Sequence, residues 1–147
     1  MKLYTIGFTQ KSAEHFFELL RASGVKKLVD IRVNPHGQLA GFAKQADLPY
    51  LLRALAAGCA YQHLPELAPT KAILKDYRNG DGDWARYTVR FEQLMDERGI
   101  PHTLDRAIFE AGPACLLCSE ATPEQCHRRL VAERLAAAWP EVEIIHL

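Results

Sequence analysis

Two periodicities alternate along the chain. Residues 3–7 (Leu-Tyr-Thr-Ile-Gly) read as a short β-strand. Ser12 then caps a helix whose apolar positions Ala13, Phe16, Phe17 and Leu20 follow the spacing of one helical face, and Gly24 ends it. Leu28-Val29-Asp30-Ile31 is a second strand, with Arg32 directly after it. Residues 33–46 form a long connection with Asn34-Pro35, Gly37 and Gly41, of a length common in binding loops. Asp47 caps the next helix, with Pro49 in its first turn, apolar positions at Leu48, Leu51, Leu52 and Leu55, and Gly58 as its stop. Residues 59–64 predict a third strand stopped by Pro65. A short helix over 69–77, a turn over 79–82 and a long helix from Asp83 to about Arg98 follow. The long helix carries Trp84, Tyr87, Phe91, Leu94 and Met95 on one stripe, which reads as core rather than as a platform for stacking bases. Residues 103–110 predict another helix, 114–118 a strand apolar on both faces, 122–138 the last helix and 142–146 the last strand.

Strands alternating with helices imply an α/β chain: one three-layer domain over residues 1–147, with a mostly parallel sheet of about five strands flanked by helices. In such sheets ligands bind beyond the carboxyl ends of the strands, which directs attention to the residues after each strand. Composition agrees, with 48% hydrophobic and 24% charged residues as in ordinary soluble proteins. The apolar runs fall short of the roughly 20 residues of a membrane helix, and the opening residues lack the pattern of a secretory leader, so a cytoplasmic address and no membrane partner are expected. Eighteen basic residues balance eighteen acidic ones. That balance gives little support to nucleic-acid binding, which draws on excess positive charge, but it leaves room for a local basic pocket. Four cysteines in such a chain suggest thiols, metal ligands or a redox pair rather than a disulfide framework.

The densest chemistry lies between Cys115 and Arg128, in Cys115-Leu-Leu-Cys118-Ser119-Glu120-Ala-Thr122-Pro123-Glu124-Gln125-Cys126-His127-Arg128. Thr122 and Gln125 fit a capping box around Pro123. On that register His127 lies about one turn into the helix and faces the crevice, with Cys126 and Arg128 about 100° to either side. A helix start favours anions and lowers the pKa of a nearby thiol. Glu120, His127 and Arg128 then form a polar cluster that would grip or process an anionic ligand, with Cys118, Ser119 and Cys126 beside it. Cys115 and Cys118 are expected on opposite faces of their strand and Cys126 and His127 to diverge, which makes a four-ligand zinc site awkward, so no metal is assigned. Asp30, Arg32 and Asn34 alternate at the end of strand two, where Arg32 would meet the ligand with Asp30 orienting it, or the two would form a structural ion pair. Gly7 suggests a close backbone approach.

These same residues carry a resemblance. Tyr4-Thr5-Ile6-Gly7, Leu28-Val29-Asp30-Ile31-Arg32, and Leu116-Leu117-Cys118-Ser119-Glu120 with Cys126-His127-Arg128 resemble the domain-of-unknown-function 488 family. Gln38-Leu39-Ala40-Gly41-Phe42, the stretch from Pro65 to Thr70 and the one from Trp84 to Phe91 resemble one subgroup of it. The resemblance implies a small bacterial-type cytosolic α/β protein with Asp30, Arg32, Glu120, Cys126, His127 and Arg128 as signature positions. The chain departs from many members in having Phe8 where they have His, and Pro35-His36-Gly37-Gln38 where they have a basic loop.

The leading expectation is an enzyme-like protein that binds a small polar or anionic ligand, such as a nucleotide or nucleic-acid end, at the carboxyl edge of the sheet. Arg32 and Arg128 would orient the anion, and His127 would act as acid or base with Glu120. Cys126 joins this catalytic set, and Gly7, Asp30, Asn34, Cys118 and Ser119 join the ligand contacts. One rival is a metal-binding or redox-thiol protein built on Cys118 and Cys126. Another is a non-catalytic binding module. The identity of any cofactor is left open by the sequence.

Overall fold

The computed structural model describes residues 1–36 and 41–147. Five strands, β1 (Lys2–Gly7), β2 (Lys27–Asp30), β3 (Ala60–His63), β4 (Ala114–Cys118) and β5 (Glu143–His146), form one all-parallel sheet in the order β3-β2-β4-β1-β5. Among the described residues six helices flank it: α1 (Ala13–Ser23), α2 (Leu48–Leu55), α3 (Lys71–Asn79), α4 (Trp84–Glu97), α5 (Ala107–Glu110) and α6 (His127–Ala138). This is the three-layer α/β architecture expected from the alternation of periods. None of the described helices is long and apolar enough to cross a membrane.

Strand residues split by parity into two cores. Tyr4, Ile6, Leu28, Cys115 and Leu117 pack with Phe16, Phe17 and Leu20 of α1 and with Leu48 and Leu52 of α2. Leu3, Val29 and Leu116 pack with Phe91 and Met95 of α4, Phe109 of α5, and Leu130, Val131 and Leu135 of α6. The chain therefore leaves β1 and β2 toward one face and leaves β3 and β4 toward the other. The carboxyl end of β4 lies between two strands whose chains turn away to the opposite side, an arrangement that opens a crevice at that edge.

Caps follow local chemistry at α1 and α3: Ser12 and Thr70 accept from the N–H groups of His15 and Ile73, each at 3.1 Å, and Gly24 ends α1 in the left-handed conformation. Three boundaries differ from expectation. Asp47 precedes α2 but makes no side-chain cap. Only Ala107–Glu110 of the segment 103–110 is helical, because turns at Gly99 and Pro101 use its first residues. The third difference matters most. The capping box at Thr122 does not form; residues 122–126 make a turn closed by the Cys126 N–H donating to the Pro123 carbonyl (3.2 Å), and α6 begins at His127. The long connection after β2 makes a turn at Pro35-His36 and a 3-10 turn at Gly41–Ala43, while its residues 37–40, and with them Gln38-Leu39-Ala40, lie outside the described residues.

Candidate functional site

A cleft of about 550 Å³ opens at the carboxyl ends of β1, β2 and β4. The ends of these strands line it: Phe8 after β1, Arg32, Val33 and Asn34 after β2, and Cys118, the last residue of β4, with Ser119 and Glu120 after it. The start of α6 closes the floor with Cys126 and His127, and α3 and the first turns of α4 form the outer wall.

Arg32 is held in place by protein groups. Its Nε and Nη2 donate to the two carboxylate oxygens of Asp30 at 2.9 and 2.7 Å, its backbone N–H donates to the same carboxylate, and Nη2 also reaches the Ala43 carbonyl. Tyr61 donates its hydroxyl to Asp30 at 2.6 Å, and the Arg32 guanidinium lies over the Phe8 ring, 5.3 Å from its centroid. Asp30 is fully buried, so the carboxylate tolerates its position only because four donors saturate it. The structure shows the ion pair: Asp30 fixes the Arg32 guanidinium at the wall of the cleft.

His127 donates Nε2–H to the Ile31 carbonyl at 2.7 Å, since a carbonyl oxygen can only accept. Its Nδ1 is the ring nitrogen nearer Cys118. Cys118 Sγ stands beside the ring, 3.3 Å from Nδ1 and 3.9 Å from Nε2. Cys126 joins them because it precedes the helix in an extended conformation (φ −133°, ψ 138°), which turns its side chain toward Cys118. The expected divergence of Cys126 and His127 required both to be helical, and it disappears with the helix boundary. The Cys118 thiol is held below its usual range: Cys126 donates to it, the N–H groups of Ser119 and Glu120 and the charge of Arg128 add to that, and all of them outweigh burial. Cys126 is pushed up by that same donation and by burial. Cys59 and Cys115 lie in the other core; burial raises Cys59 to about 11 and Cys115 well above its usual value.

Arg128 does not line the cleft. It is fully buried beneath the loop after β4, where Nη1 donates to the Glu120 carbonyl at 2.6 Å, while Nε and Nη2 find no partner among the described residues. Gly7 belongs to the same packing: a Cβ there would sit 1.6 Å from the Glu120 carbonyl oxygen and 2.9 Å from Arg128 Nη1. The close approach read at Gly7 is therefore that of the β4 loop. Glu120 lines the cleft, and its bond to Arg128 runs through the backbone carbonyl. Ser119 and Asn34 line the cleft; the Ser119 carbonyl accepts from Thr9 N–H, and Asn34 Oδ1 caps the turn at His36.

Part of the wall escapes motif reading. Lys71, Lys75 and Arg78 of α3 face the cleft at the i, i+4, i+7 spacing that marks one helical stripe, a basic signal masked by the neutral total. Trp84 is only half-buried and reaches the cleft, where it stacks on Tyr87 (5.1 Å, 16°), while Tyr87 and Phe91 are core as expected. Arg86 and Arg90 of α4 both pair with Asp76 of α3.

Among known proteins, neither the curated set nor the solved structures hold a significant match to this chain. The family model described as domain of unknown function DUF488 matches residues 12–135, which take in Arg32, all of α3 and the whole floor of the cleft, and the chain belongs to that family.

Proposed function

We propose that this protein is an enzyme-like binder of a small anionic ligand of nucleotide size, held in the cleft at the carboxyl edge of the sheet. The observation that carries this reading is the charge of the lining. Arg32, Lys71, Lys75 and Arg78 face the cleft against the single carboxylate of Glu120 among the described residues, in a chain of zero net charge. Cations concentrated in a concave, partly apolar site raise the local concentration of anions. The volume lies within the roughly 300–1,000 Å³ usual for ligand sites. Phe8, Tyr77 and Trp84 offer apolar faces beside the cations, as a molecule with both an aromatic and a phosphate part requires. Glu120 and the Nδ1 of His127 are the groups placed to exchange protons with the bound molecule. A reducing cytoplasm suits the four free thiols.

Fluorescence of Trp84 provides the test. Adding ATP, GTP or pyrophosphate is expected to change it saturably at one site per chain, more weakly as salt rises. The Lys75→Glu, Arg78→Glu double variant is expected to bind at least about tenfold more weakly, since two favourable charges become two repulsive ones. Nucleotides, sugar phosphates and dicarboxylates all failing to bind at millimolar concentration would remove the proposal.

A further inference from the structure

The floor of the cleft brings together two thiols and an imidazole that the proposed anion site does not need for binding. Cys118 comes from the end of β4, and Cys126 and His127 from the start of α6. All three are buried, and their donor atoms lie within 4.8 Å of one another. Three donors this close, from two separate elements, enclose a point that each of them can reach.

We propose that Cys118 Sγ, Cys126 Sγ and His127 Nδ1 form a binding site for a single Zn²⁺ ion, with the fourth coordination position open to the cleft. Two sulfurs and one imidazole nitrogen suit zinc, and three protein ligands with one open position is the pattern of reactive rather than purely structural zinc sites. The strongest support comes from outside the ligand set. Metal-ligating histidines characteristically donate their second ring N–H to a carbonyl or carboxylate, which fixes the tautomer. His127 already does so: Nε2–H is committed to the Ile31 carbonyl at 2.7 Å, and Nδ1 is the ring nitrogen nearer Cys118. Loading the site would turn the ring so that the Nδ1 lone pair points between the two sulfurs. Cys115, three residues before Cys118, is excluded because it faces the opposite core.

This inference goes beyond the anion reading, and either can fail alone. In the loaded site Nδ1 is a ligand, so proton exchange with a bound molecule falls to Glu120. The open position lies in the same cleft as Arg32, so an anion held by the guanidinium could offer an oxygen to the metal.

The test uses the full chain without an affinity tag, purified without chelator under reducing conditions. Elemental analysis is expected to give one zinc per chain. After stripping, Co²⁺ is expected to produce the intense d–d bands of a tetrahedral site together with a thiolate charge-transfer band, and Zn²⁺ is expected to abolish both. Cys118→Ser, Cys126→Ser and His127→Ala are each expected to weaken zinc binding by more than about a hundredfold, the upper range for loss of outer-shell partners alone, whereas Cys59→Ser and Cys115→Ser leave it intact. Should a ligand variant not fold, the charge-transfer intensity of the wild-type cobalt form still counts the bound thiolates. A metal-free protein whose Co²⁺ spectrum stays that of the hydrated ion would overturn the site. So would thiols of Cys118 and Cys126 that zinc fails to protect from alkylation. The Lys75→Glu, Arg78→Glu variant separates the two readings, because it is expected to lose anion affinity and keep its zinc.

Discussion

Asp30 and Gly7 hold the cleft in place without touching its contents. Asp30 gathers four donors in a site that excludes water, so Asp30→Asn removes the charge that compensates Arg32. Breaking one side of a buried pair costs about 3–5 kcal/mol. We expect urea unfolding of Asp30→Asn to shift by that amount and anion affinity to fall with it, because Arg32 loses its aim. Gly7→Ala sets a methyl against the Glu120 carbonyl, and the loop that carries Ser119 and Glu120 has to move. Overpacking of this kind costs about 1–3 kcal/mol, readable as a lower unfolding midpoint in the same assay. The alternation Asp30, Arg32, Asn34 made the first of these arrangements legible, since a carboxylate at the end of a buried strand needs a cation. The burial of Arg128 was not legible. Nothing in its neighbours distinguishes an arginine that meets a ligand from one that supports a backbone loop; only the partner, a carbonyl eight residues earlier, decides it.

Among the elements, α3 contributes most of the cations on the cleft. Ile73 is its one buried residue, Leu74 and Tyr77 are partly buried against the same core, and its three cations lie on the cleft side. Its start depends on Thr70, whose hydroxyl accepts from Ile73 N–H at 3.1 Å. Thr70→Ala is expected to cost about 1 kcal/mol and also to weaken anion binding, because fraying begins next to Lys71. Loss of melting temperature with unchanged anion affinity would show that α3 does not form the wall of the site. The strands and the four longer helices are readable from apolar spacing. The start of α6 is not, because Thr122, Pro123 and Gln125 have every local feature of a helix start, and the chain instead spends those residues on a turn. Five residues of delay turn Cys126 from a helix-flank position into one that faces Cys118. A local capping rule was outweighed by tertiary placement, and the relation among the three floor residues was hidden with it.

For the molecule as a whole, charge is balanced in total and uneven in place. Cations gather on the cleft, and Arg128 adds a buried one near the carboxyl ends of β1 and β5. His146, at the end of β5, shares a 2.6 Å hydrogen bond with Thr5 and is surrounded by Arg128, Arg129, Glu124 and Glu133. Burial, then the Arg128 charge, lowers its pKa from the usual 6.5. The unfolded chain therefore takes up this proton at higher pH than the folded one, and the contribution of His146 to stability is complete above about pH 7 and declines as pH falls through 6.5. His146→Gln is expected to lose less stability than the wild type between pH 7.5 and 5.5 in chemical denaturation; equal losses would refute the assignment. The doubly wound sheet, in contrast, was legible at this scale from the order of periods alone, since parallel strands buried on both faces leave few other arrangements.

The place of β4 in the sheet has a consequence for selectivity. It is bonded on both edges, by β1 and β2, and its last residue carries the sulfur at the base of the cleft. The facing wall is α3, whose charged residues are largely exposed and which is held to α4 by the packing of Tyr77 on Trp84 and Tyr87 and by ion pairs at Asp76. One jaw of the cleft is rooted in the sheet and the other is a single helix with exposed cations, so in the proposed anion site discrimination among ligands would rest on which atom reaches the rooted side. If the proposed anion binding holds, molecules of different bulk are expected to share the site when they end in the same group.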